Sequence, residues 1–165
     1  MEAILVKDQK AAAFVMEDGT FEGVYRITEK VCGDVEQVTG VRPKIIKWQG
    51  ALQPAQVYVA TLGNSEMSEA IAEEEGIELS SLCGKRECFL FQVLKNGSLL
   101  IAGSDKRGTI YGLFHISELM GVSPFVHFAD VVPAPQKEII FSEKDSMQSK
   151  EPSVKYRGFF INDEW

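Results

Sequence analysis

From Phe21 onward, apolar residues fall three and four positions apart: Phe21, Val24, Ile27, Val31, Val35 and Val38. That spacing is one stripe of an α-helix. Thr20 precedes it as a candidate N-cap, and Gly40 follows as a C′ glycine. The chain before it is different. Ala3–Val6 and Ala11–Met16 are short apolar runs around a polar turn, and predict two strands. Lys44–Trp48 and the imperfectly alternating stretch Gln56–Leu62 predict two more. Ser65–Glu75 predicts a short helix with Met67, Ala70 and Ile71 inward and Gly76 as its stop. Glu87–Leu94 and Ser98–Ala102 flank Asn96-Gly97, which supplies the positive φ of a tight hairpin. The same Asn96-Gly97-Ser98 matches a glycosylation sequon, but the turn reading is the stronger. A third helix starts after Ser104 or Asp105 and runs to Gly121. It is apolar on most sides: Ile110, Tyr111, Leu113, Phe114, Ile116, Leu119 and Met120. A helix of that kind is buried on most sides. One sheet cannot cover it, so a further domain or subunit is expected against it. Pro124–Pro135 is irregular, Lys137–Phe141 is a strand, and Glu143–Pro152 is polar and reads as a linker.

Hairpin pairing mixed with helical crossovers predicts an α+β fold. The expected architecture is a two-layer mixed β-sheet with two main helices. The chain has 165 residues, a size that suggests one main domain. A net charge of −7 argues against nucleic acid or an anionic membrane as the main partner. No apolar run is long enough to span a bilayer. Localisation is open: periplasmic or extracellular if a signal peptide has been removed, cytoplasmic otherwise. Three cysteines, Cys32, Cys83 and Cys88, are an odd count for a disulfide scaffold. Cys83 and Cys88 are close enough to pair across CGKREC, with free thiols the favoured reading. They lack zinc-ligand spacing, and His115 and His127, twelve apart, make no metal site. No cofactor is expected.

The segment GSDKRGTIYG, Gly103 to Gly112, has the layout of a phosphate cradle: strand, glycine-rich turn, helix. The details fail. Thr109 stands where a phosphate loop carries its lysine, and Asp105 takes the second glycine of a dinucleotide fingerprint. The alternative is a capped helix whose glycines, Gly108 and Gly112, share one face and permit close approach to a neighbour. At the far end, Gly158–Ile161 reads as a buried strand of a new sheet. Asn162, Asp163 and Glu164 follow, where barrel enzymes collect catalytic side chains.

GSDKRGTIYGLFHISELMGVSPFVHFADV, followed by KYRGFFINDEW, resembles the N-terminal region of glycoside hydrolase family 115, the xylan α-1,2-glucuronidases. DVEQVTGVRP, Asp34–Pro43, is similar to that family's first helix. The resemblance covers about Phe21 to Trp165. It implies an accessory domain like those preceding the barrel in hexosaminidases and α-glucuronidases. Its bounds would be residues 1–142 for the accessory domain and 143–154 for a linker, with a catalytic (β/α)8 barrel starting at 155–165. It implies catalytic or substrate contact by Asp163 or Glu164, with Asn162, Lys106 and Arg107 as substrate-binding candidates. The partners implied are the chain's own barrel and a carbohydrate polymer, and a homodimer of the full-length protein is an option. The plainer alternative for Lys106 and Arg107 is a salt bridge to the barrel surface, or simple solvation. Phe125-Val126-His127-Phe128 departs from a family segment rich in Trp and Tyr. Two other functions compete. One is a glycan-binding module using Trp48, Tyr58, Phe125 or Trp165. The other is a stand-alone interaction domain using the third helix and the 124–135 segment.

Overall fold

The computed structural model describes residues 1–126, 129–158 and 160. Nine strands and three helices lie along the described chain. They are β1 (Glu2–Lys7), β2 (Lys10–Ala11), β3 (Phe14–Met16), α1 (Glu22–Thr39), β4 (Ile45–Lys47), β5 (Val57–Thr61), α2 (Glu66–Glu75), β6 (Phe89–Val93), β7 (Leu99–Gly103), α3 (Lys106–Leu119), β8 (Ile139–Ser142) and β9 (Met147–Gln148). A six-stranded sheet has the order β4-β3-β5-β7-β6-β9, and a three-stranded sheet the order β2-β1-β8. In the larger sheet β4, β3, β5 and β7 run parallel, while β6 and β9 are antiparallel to their neighbours. The α+β expectation holds.

Strand alternation divides the core in two. Phe14, Met16, Val57, Val59, Leu99, Ile101, Phe91 and Val93 face one side. There they meet Val24, Val31, Val35 and Val38 of α1, and Leu113 and Ile116 of α3. The small sheet closes the same core through Leu5, Val6, Ile139 and Phe141. Val15, Tyr58, Ala60, Leu90, Leu100 and Ala102 face the other side, under Met67 and Ile71 of α2 and Leu82. All five residues of β5 are buried. A strand covered on both faces reads as a continuous apolar run, which is why VYVAT shows little alternation.

Local differences from the sequence reading have local causes. The predicted strand Ala11–Met16 splits, because β2 pairs with β1 while β3 joins the larger sheet. Thr20 does not cap α1. Its hydroxyl donates to Glu17 O at 2.9 Å inside the preceding turn, and Phe21 takes the cap position. Gly40 ends α1 at φ 77°, donating to Glu36 O, as expected. In α2 the buried face is Met67, Ser68, Ile71 and Glu75, so Ala70 is exposed on the opposite side. The Asn96-Gly97 hairpin forms, with Gly97 at φ 79° and Leu94 N–H donating to Ser98 O at 2.8 Å. The polar stretch 143–152 contributes a 3-10 turn, Glu143–Asp145, and then β9 on the outer edge of β6.

Candidate functional site

The turn Gly103–Gly108 connects β7 to α3, and its Ser104 and Asp105 side chains are committed to the fold. Asp105 caps the helix: Oδ1 accepts from Gly108 N–H at 2.8 Å, and Oδ2 accepts from Glu87 N–H at 2.9 Å. Ser104 Oγ accepts from Cys88 N–H at 3.0 Å. Asp105 thus fills the place at the helix start that a phosphate would take. The glycines serve contact with the chain's own sheet. A Cβ on Gly108 would stand 2.0 Å from Cys88 O, and one on Gly112 2.6 Å from Ile101 Cγ2. A Cβ on Gly103 would stand 2.1 Å from Thr109 N. The expectation that these glycines admit a neighbouring domain is thus corrected: α3 lies too close to β6 and β7 to leave that face free. Thr109 completes the seat. Its hydroxyl lies 2.7 Å from that of Thr61, and it donates to Ala60 O at 3.1 Å.

Beside this turn stands a charged cluster. Glu87 begins the run into β6, with φ 57° in the left-handed region. Its side chain is 4% exposed, and its two oxygens meet two different arginines. Arg107 Nη1 donates to Oε1 at 2.9 Å, and Arg157 Nη2 donates to Oε2. Arg157 Nη2 also reaches Tyr111 Oη at 3.3 Å. Arg157 foremost, then Arg107, holds the Glu87 carboxyl below the usual carboxylate range. Arg107, expected as a substrate contact or a salt bridge, is ion-paired within the domain. Lys106 is exposed on the first turn of α3. Asn162, Asp163 and Glu164 lie outside the described residues, as do His127, Phe128 and Trp165. Of the predicted site residues, the described structure therefore holds Lys106 and Arg107. Around Arg107 it gathers Glu87, Arg157 and Tyr111. Spacing along the chain carries no signal for this cluster, because Glu87 and Arg157 are seventy positions apart.

The outer face of α3 keeps part of its apolar surface in solvent. Gly112, Leu113 and Ile116 face the sheet, while Tyr111 is 38% and Leu119 41% exposed. Tyr111, Phe114, His115, Phe89, Val122 and Val126 help line a cavity of about 600 Å³. His115 is structural. Its ring packs on Phe89 and Phe91, with centroids 5.5 and 5.3 Å away, and Nδ1 lies 3.0 Å from Glu118 Oε2. Asp34 of α1 is buried between Lys30 Nζ at 3.2 Å and Ser117 Oγ at 2.8 Å, tying α1 to α3. Of the glycan platforms considered, Tyr58 is buried, its hydroxyl donating to Gln53 O, and Trp48 packs edge-on against it. The three cysteines are free. Burial pushes the Cys32 thiol up to about 11 and also raises that of Cys88, so neither is poised as a thiolate. Among the described residues no group of three or more His, Cys, Asp or Glu could hold a metal ion.

No protein-family profile matches the chain, and no curated protein sequence does. Solved structures do. A family GH115 4-O-methyl-α-glucuronidase, described as specific for decorated arabinogalactans, overlays 93% of this chain with a TM-score of 0.72 and 29% identity. The fold is that of a family 115 N-terminal domain. The overlay takes in 19% of the glucuronidase, so the chain spans about a fifth of its length. CpGH84D shares the fold at 12% identity, with a TM-score of 0.52 over 87% of this chain and 21% of its own. In this domain, KRGTIYG is the seat of α3 on its sheet.

Proposed function

We propose that this chain is the non-catalytic N-terminal domain of a glycoside hydrolase that removes glucuronic acid, or its 4-O-methyl ether, from a plant polysaccharide. The observation that carries the reading is the 29% identical overlay across 93% of the chain on a 4-O-methyl-α-glucuronidase. Xylan side chains are the first substrate candidate, and decorated arabinogalactan, the substrate named for that structure, is the second. The domain braces a catalytic barrel that begins near Tyr156. Within that reading Asp163 or Glu164 contacts the sugar or the reacting bond, and Asn162 and Lys106 assist binding. Arg107, ion-paired to Glu87, supports the domain's edge before it supports substrate. Hydrolysis of a glycosidic bond requires two carboxyl groups at a set separation, so the partner acid lies beyond residue 165. The 165-residue chain alone is accordingly inactive.

The test is to express the full reading frame and assay uronic acid release from glucuronoxylan and from arabinogalactan, beside the 165-residue chain. Release by the long protein and none by the short one is the expected result. A frame that stops at Trp165, or a long protein that releases no uronic acid from either polymer, overturns it.

A further inference from the structure

The stretch after β9 does not hang from the domain. Ser149 N–H donates to Phe89 O at 2.9 Å, and Ser149 Oγ accepts from Phe89 N–H at 2.8 Å. Arg86 Nη2 donates to Pro152 O at 3.0 Å and stands 3.4 Å from Glu151 Oε1. Five residues later Arg157 closes on Glu87 and Tyr111, and its Nη1 donates to Val154 O. This strap reaches the N-terminal half of α3.

We infer that Glu87 is a positioning residue: a latch that fixes, through Arg157, where the polypeptide leaves this domain. Three features make it a latch rather than a casual surface pair. The carboxylate is buried while each arginine is partly exposed, so the fixed member is the acid and the arriving member is Arg157. The acid's own backbone is pinned by Asp105, the residue that caps α3, so strand, helix and strap share one anchor. Arg107 holds the second oxygen, which keeps Glu87 charged and oriented whether or not Arg157 is seated. The latch sets the direction of the chain toward Tyr111 and the outer face of α3. Its consequence for a following barrel rests on the function proposed above; the latch itself does not.

The test uses trypsin on the 165-residue chain. Two early cuts compete, after Lys155 and after Arg157, and mass spectrometry separates the released peptides. The Lys155 ammonium lies over the Tyr156 ring, 5.5 Å from its centroid, whereas Arg157 must leave Glu87 before a protease can take it. In the native chain the cut after Lys155 dominates. In Glu87→Gln the ratio shifts toward Arg157 by about tenfold, the scale of a lost charged hydrogen bond. General loosening of the fold would also open tryptic sites inside the domain, such as Arg26 and Lys30 of α1, which loss of the latch alone leaves closed. Arg157→Lys keeps a tryptic site but replaces the guanidinium fork with a single ammonium, and the ratio rises there too. If Glu87→Gln fails to fold, Arg157→Lys decides alone. An unchanged ratio in a folded variant, or a native chain cut first after Arg157, overturns the latch. No hydrolase activity enters the readout, so failure here leaves the proposed function standing, and failure there leaves the latch.

Discussion

Glu87 is a residue whose importance depends wholly on what folding brings to it. In CGKREC it is one charge among three. In the structure it adopts a left-handed backbone conformation that side chains other than glycine, asparagine and aspartate rarely take, with Asp105 accepting from its amide. Both arginines favour its ionised form, which sets the sign of its pH dependence. A carboxyl whose folded-state pKa lies below its ordinary value stabilises the fold above that ordinary value. The contribution fades as pH falls through the lowered folded-state pKa. Denaturant titrations at neutral pH and at pH values below the ordinary carboxylate range should show a steeper acid loss for the native chain than for Glu87→Gln. Parallel acid limbs would mean that the two arginines do not act on this carboxylate in solution.

At the scale of elements, α3 is set by glycines against carbonyls. Gly108 faces the backbone of Cys88, which cannot swing aside as a side-chain tip can. Gly108→Ala should therefore cost at least the upper part of the roughly 1–3 kcal/mol typical of overpacking, read as a lowered urea midpoint. Gly33→Ala, in the middle of α1, is the control. Its Cβ would meet Arg42 Nη1 at 3.4 Å, and the gain in helix propensity is about 0.5–1 kcal/mol. Equal effects at the two positions would refute the close-seat account. Much of this level is legible in the sequence. The α1 stripe, the Gly40 stop, the Asn96-Gly97 hairpin and the Asp105 cap all rest on contacts within a few residues, and the sequence displays those. What stays hidden is long-range. That Gly108 and Gly112 serve β6 and β7, that β2 and β3 part company at Ala12, and that Arg107 is taken by Glu87 all depend on which strands become neighbours.

Across the whole molecule, the larger sheet with helices on both faces explains why β5 and β7 are buried throughout and why a second core lies under α2. The candidate site is the least legible part. The carboxylates proposed for it, Asp163 and Glu164, lie outside the described residues, and glycoside hydrolysis requires a second carboxyl group that one short segment does not supply. The polar stretch after β8 misleads in a different way. Its serines look like the composition of a free linker, yet Ser146 Oγ accepts from Val93 N–H at 3.0 Å and Ser149 brackets Phe89, with β9 paired between them. Those bonds occupy the outward amides of β6, a strand reading Phe-Leu-Phe-Gln-Val. Cutting the chain after Ser142, the boundary its polarity suggests, would bare that edge. An apolar, unpaired strand is a template for self-association. Such a shortened domain should appear as growing oligomers in light scattering, while the 165-residue chain holds its size under the same conditions. A shortened domain that also holds its size would show that β6 needs no cover. The serine-rich strap, on this account, is also the domain's protection against sticking to itself.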